Sequence, residues 1–111
     1  MTMQEYQDAA LTTAIFPGRG EFLGLTYCAL GLNGEAGEVA DKLKKIQRDK
    51  GFVIQGNDRE ALKAELGDCL WYLAICAYEL GLTLENVAES NIAKLKDRQA
   101  RGMLGGSGDF R

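Results

Sequence analysis

A single proline, Pro17, in a chain of 111 residues is the feature that most narrows the choice of fold. Prolines and clustered turn residues are what cut a chain into short strands and hairpins, and beyond Pro17 long stretches carry neither. Four helices follow from the remaining pattern. The first runs from about Thr2 to Ile15 and ends at the breaker cluster Pro17-Gly18-Arg19-Gly20. The second starts near Glu21 and continues to about Lys50, with Gly31 and Gly34 as the places where it could bend. Its stripe of Leu25, Cys28, Leu32, Val39, Leu43 and Ile46 has helical spacing. Gly51 stops it. Asp58 is the expected N-cap of the third helix, which reaches about Leu80 before Gly81, and Thr83 caps the fourth, from Leu84 to Arg101. Phe52-Val53-Ile54 is too short and isolated to make a strand. The expectation is an all-α, four-helix bundle in one domain, residues 1–101, with a flexible glycine-rich tail over 102–111.

The third helix is apolar on both sides. One face carries Leu62, Leu66, Cys69, Leu70, Leu73, Cys76, Ala77 and Leu80; the other carries Ala64, Gly67, Trp71, Ile75 and Tyr78. A helix of this kind is buried on both sides. The leucine face is expected to meet the chain's own core, and the Trp71 face a partner subunit in a symmetric homo-oligomer. The competing arrangement folds the first helix over Trp71 within the same chain.

Composition removes several functions. There is no histidine, so imidazole bases, imidazole metal ligands and histidine-containing triads are excluded. A net charge of -3 gives no basic surface for duplex nucleic acid. Cys28, Cys69 and Cys76 have no zinc-binding spacing and read as reduced thiols on apolar stripes. Met1 to Glu5 lacks the basic start of a signal peptide, and no apolar run is long enough to span a bilayer. A cytoplasmic protein without membrane partners is expected.

The remaining chemistry lies with carboxylates. The second helix holds Glu35 and Glu38, and the third holds Glu65 and Asp68, each an i, i+3 pair on one helix face. Both pairs border the apolar stripe of their helix, so antiparallel packing would bring four acids together. Alone, the first pair would read as a solvated face, with Lys42 placed four residues after Glu38. Two such pairs on successive helices are harder to explain that way, and Gly34, Gly37 and Gly67 beside them would let backbones approach closely. Four neighbouring carboxylates need counter-charge. All-oxygen ligation without histidine or cysteine favours Mg²⁺, Mn²⁺ or Ca²⁺ over zinc or copper.

Glu35-x-x-Glu38 followed by Glu65-x-x-Asp68 resembles the E-x-x-E…E-x-x-D signature of the MazG-like, all-α nucleoside triphosphate pyrophosphohydrolases. The flanking segments Gly31–Lys45 and Glu65–Ala74 agree with it, and Asn91–Arg98 is similar to the family's third motif. The resemblance implies Mg²⁺-dependent cleavage of a nucleoside triphosphate to monophosphate and pyrophosphate, with Mn²⁺ as a substitute. By the same resemblance Glu35, Glu38, Glu65 and Asp68 are metal ligands, Tyr72 contacts substrate, and the assembly is a homodimer or homotetramer. Glu35 or Glu38 would take the proton of the attacking water. Asn91, Lys94 and Arg98 share a helix face suited to phosphates, and Lys42 and Lys45 could serve phosphate or merely balance charge. Phe16, Phe22, Tyr27 and Trp71 are candidate ring partners for a base. The other reading is a non-catalytic helical oligomer with a buried acidic cluster.

Overall fold

The computed structural model describes residues 1–111 and contains four helices and no strand. Helix α1 is Met3–Leu11, α2 Phe22–Lys50, α3 Asp58–Glu79 and α4 Leu84–Ala100. The long helices fall where the sequence places them, and α2 continues as one helix through Gly31 and Gly34. Gly51 ends α2 in the left-handed conformation, φ 58°, which a residue without Cβ adopts freely.

Two helix ends differ from expectation. Helix α1 begins in a capping box between Thr2 and Glu5 but stops at Leu11 rather than Ile15. The hydroxyls of Thr12 and Thr13 donate to the carbonyls of Ala9 and Ala10, competing with continuation of the helical ladder. Asp58 does not cap α3; the cap position is Asn57. The Asp58 carboxylate instead accepts from the Gln55 amide at 3.0 Å and from Lys50 at 2.6 Å, closing the α2–α3 connection. At α4 the Thr83 hydroxyl accepts from the Asn86 amide, as its position predicts.

Helices α2 and α3 form an antiparallel hairpin, since Lys50 meets Asp58, Lys42 meets Glu65 and Gly31 faces Tyr72. Helix α1 packs on α3, and α4 touches α1 and α3 but makes no packing contact with α2. The bundle is therefore open along one side. Its radius of gyration is 16.8 Å, against about 13 Å for a compact domain of this length.

The two faces of α3 largely exchange roles relative to the sequence expectation, although Ala77 of the leucine face is buried and Tyr78 of the Trp71 face is exposed. Ile75 and Ala74 are 0% exposed, and Trp71 packs against a core built from Ala10, Ala14, Phe16, Cys28 and Leu84. The Trp71 indole N–H donates to the Thr13 hydroxyl at 2.8 Å. Helix α1 and the turn after it thus cover the Trp71 side from within the chain. The leucine side is left open, with Leu66, Leu70 and Leu73 at 58%, 41% and 43% exposed. Leu43 of the α2 stripe is also exposed, whereas Cys28 and Ile46 are buried as expected.

Gln7 joins three elements. Its side-chain amide is buried, donates to the carbonyls of Ala74 and Leu82, and accepts from the Leu84 amide at 3.1 Å. Gln7→Ala removes the partner of a buried backbone amide and leaves a cavity, so it should cost about 3 kcal/mol of stability. Urea unfolding checks this; an unchanged midpoint contradicts it.

Candidate active site

The α2–α3 seam carries the acids. Carboxylate oxygens of Glu35, Glu65 and Asp68 lie within 4.8 Å of one another. Glu35 and Glu65 are half-buried and Asp68 is exposed. Glu38 is exposed one turn beyond Glu35 and does not join this convergence. Three of the four expected acids therefore meet within one chain.

Their charge is poorly balanced. Burial pushes the Glu35 carboxyl above its usual range, reinforced by a hydrogen bond with Glu65 and by the charges of Asp68, Glu65 and Glu38. Lys42 is the one cation in ion-pair contact with the three, at 3.4 Å from Glu65. It pairs across the seam rather than with Glu38 on its own helix. Lys45 pairs with Asp41 at 2.8 Å, and Lys45 and then Lys44 hold the Asp41 carboxyl down to about 2. Gly34, Gly37 and Gly67, expected to allow close backbone approach, face open space. The close approach occurs at Gly31, against the ring of Tyr72.

Glu35 and Asp68, with Trp71 and Tyr72, line an open hollow of about 310 Å³. Behind it stands an aromatic group. Phe16 stacks on Tyr27 at 4.6 Å, Trp71 meets Tyr72 edge-on at 5.0 Å, and Tyr27 lies 6.4 Å from Tyr72. Burial, and then Tyr27, raise the Tyr72 hydroxyl above its ordinary pKa. Of the proposed ring partners, Phe22 is exposed and takes no part in this group. Tyr6 of α1 stands near Asp68, whose charge, after burial, raises the Tyr6 hydroxyl. No spacing in the sequence marks Tyr6, because its place depends on how α1 crosses α3.

The α4 residues lie elsewhere in the chain. Asn91 and Lys94 line a separate hollow of about 380 Å³ with Leu82, Asn86, Val87 and Ser90. Arg98 is 4% exposed, and it donates to the carbonyls of Gly108 and Asp109. The Asp109 carboxylate sits 3.1 Å from Lys94 and 3.4 Å from Arg98. Lys94 first, and then Arg98, lower its pKa. Arg111 binds carbonyls of the same tail, among them Gly105 at 2.9 Å. Residues 102–111 are thus folded back on α4.

The three cysteines are free thiols; Cys28 is buried, and burial followed by Cys76 pushes its thiol up to about 11. No helix is long and apolar enough to cross a membrane.

An all-α chain with carboxylates from two successive helices converging beside an aromatic wall defines a class of acidic, cation-ready sites. The family model of the MazG nucleotide pyrophosphohydrolase domain matches residues 25–103, most of the chain, and the chain belongs to that family. It is also 49% identical over 114 aligned residues to the gene 37 protein of Mycobacterium phage L5, with all of both chains covered. No solved structure matches it.

Proposed function

We propose that this protein hydrolyses nucleoside triphosphates to monophosphate and pyrophosphate with the help of Mg²⁺, for which Mn²⁺ can substitute, and so removes unwanted nucleotides from the pool. The observation that carries this reading is the meeting of Glu35, Glu65 and Asp68 within 4.8 Å. Such a set fits a hard divalent cation: every donor is oxygen, and the charges need neutralising. When bound, that ion supplies positive charge to phosphate oxygens and lowers the pKa of water.

The chain's own residues do the rest. Glu35, Glu65 and Asp68 would hold the cation. Glu38 stands outside their convergence and is the carboxylate free to accept the proton of the attacking water. Tyr72 and Trp71 bound the hollow beside the acids and offer ring faces to the nucleoside. Lys42, paired with Glu65 at 3.4 Å, is the cation nearest the acids and would be placed to meet a phosphate oxygen. Asn91 and Lys94 grip phosphates, with Arg98 beneath them; since they line a different hollow within one chain, a second copy brings them to the acids.

That second copy covers the leucines. Leu66, Leu70 and Leu73 form an exposed apolar stripe of the kind that marks an interface rather than a free surface. A homodimer through this face, or a homotetramer of two such dimers, closes it. Residues 1–101 are the functional domain, and the glycine-rich segment 102–111 is appended to it, folded back on α4 rather than flexible. Three free thiols suit a reducing, cytoplasmic setting.

Incubating the purified protein with each nucleoside triphosphate, with Mg²⁺ and with a chelator, tests the reading. Turnover of at least one triphosphate that stops on chelation is expected. No turnover of any, at any divalent concentration, would leave a helical oligomer with an acidic cluster as the correct description.

A further inference from the structure

Glycine in mid-helix weakens a helix relative to alanine, and α2 holds Gly31, Gly34 and Gly37 near its middle. Of these three only Gly31 has atoms where a Cβ would lie. A Cβ built there would lie 2.2 Å from Cε1, 2.4 Å from Cζ and 2.7 Å from Cδ1 of Tyr72. Ordinary contact begins near 3.4 Å, so the ring would have to leave its seat rather than adjust. It has little room to do so, with Trp71 edge-on at 5.0 Å and Tyr27 at 6.4 Å. Gly31 lies one helical turn before Glu35, and the ring it seats lines the same hollow as Glu35, Asp68 and Trp71.

We propose that Gly31 is a positioning residue for the nucleotide site: it sets the depth of the hollow by letting the Tyr72 ring lie on the α2 backbone. The proposal rests on the hydrolase reading for its functional meaning, although the seating itself does not. Gly31 touches neither substrate nor cation. It acts through Tyr72, on the part of the site that holds the nucleoside rather than on the acids that hold the metal. Displacing a bounding ring by an ångström or more is the kind of remote change that costs about 10²-fold in catalytic efficiency.

Gly31→Ala is therefore expected to lower kcat/KM by about 10²-fold, mainly through KM, while the Mg²⁺ concentration for half-maximal rate stays the same. Because Trp71 is the only tryptophan, its emission reports the displaced ring directly, without substrate. Both effects should vanish in a Tyr72→Ala background and persist in a Tyr72→Phe background, since the ring and not the hydroxyl fills the space. If Gly31→Ala fails to fold, Gly31→Ala with Tyr72→Ala must restore the fold. An unchanged KM with an unchanged Trp71 spectrum overturns the proposal, as does an equal loss with Tyr72 already truncated. A wild type that turns over no triphosphate defeats the hydrolase reading instead, and the Trp71 spectra still decide whether Gly31 seats the ring.

Discussion

Asp68→Asn should lower kcat/KM for triphosphate hydrolysis by about 10³-fold with the helical fold intact. The substitution keeps the size of the side chain but removes one of the three charges that meet within 4.8 Å. Cation binding weakens, so raising Mg²⁺ should recover part of the loss. Without metal the same change relieves repulsion on Glu35, whose carboxyl Asp68 helps to hold above its usual range. Thermal unfolding in chelator should therefore show no loss of stability. Glu38→Gln should behave differently, lowering kcat while the Mg²⁺ dependence remains that of the wild type, because Glu38 lies outside the convergence. A fully active Asp68→Asn protein at low Mg²⁺ would remove Asp68 from the ligand set.

The second large effect separates the two faces of α3. Trp71→Ala should cost about 3 kcal/mol of stability, the low end for truncating a large aromatic, because the half-buried indole packs against the core and donates its N–H to Thr13. Leu66→Glu with Leu70→Glu should leave each chain folded and split the proposed dimer, since these side chains are exposed on one chain. With about half of each leucine still open to water, each is worth about 1 kcal/mol on burial, and a buried glutamate in its place costs more than that loss. Sedimentation of both variants checks the contrast. A wild type that is monomeric at micromolar concentration contradicts the interface, whatever the variants do.

Much of the backbone was legible. The four helices and the limits of α2 and α4 followed from breakers, caps and spacing, because each is a local property of the chain. The end of α1 was missed although its signal is local: Thr12 and Thr13 turn their hydroxyls onto the preceding carbonyls. The faces of α3 divide differently from the periodicity for another reason. Periodicity counts apolar residues, and both faces have them; it does not say which one a nine-residue α1 will cover. What adds to the apolar packing is a partner for the indole N–H, and Thr13 provides one only after the chain has folded back.

The site divides along the same line. Glu35, Glu65 and Asp68 could be placed together from their i, i+3 spacing and a simple hairpin, because α2 and α3 are sequence neighbours. Helical spacing puts Lys42 within reach of Glu38 and leaves it to serve phosphate or balance charge, whereas the seam offers it Glu65 at 3.4 Å. Tyr6 beside Asp68 and Gly31 beneath Tyr72 depend on contacts between distant segments. Arg98, read as a phosphate ligand or an exposed face residue, is buried against the carbonyls of the tail. A helical wheel ends at residue 101 and contains no tail.

The proposed hydrolysis with release of pyrophosphate is tested most directly by a ³¹P spectrum of the reaction. With wild-type protein, Mg²⁺ and a triphosphate that it accepts, the account predicts two products, a nucleoside monophosphate and pyrophosphate, in equal amounts. Both should be absent in chelator. Orthophosphate and a nucleoside diphosphate as the first products, or pyrophosphate released at the same rate without divalent metal, would contradict it.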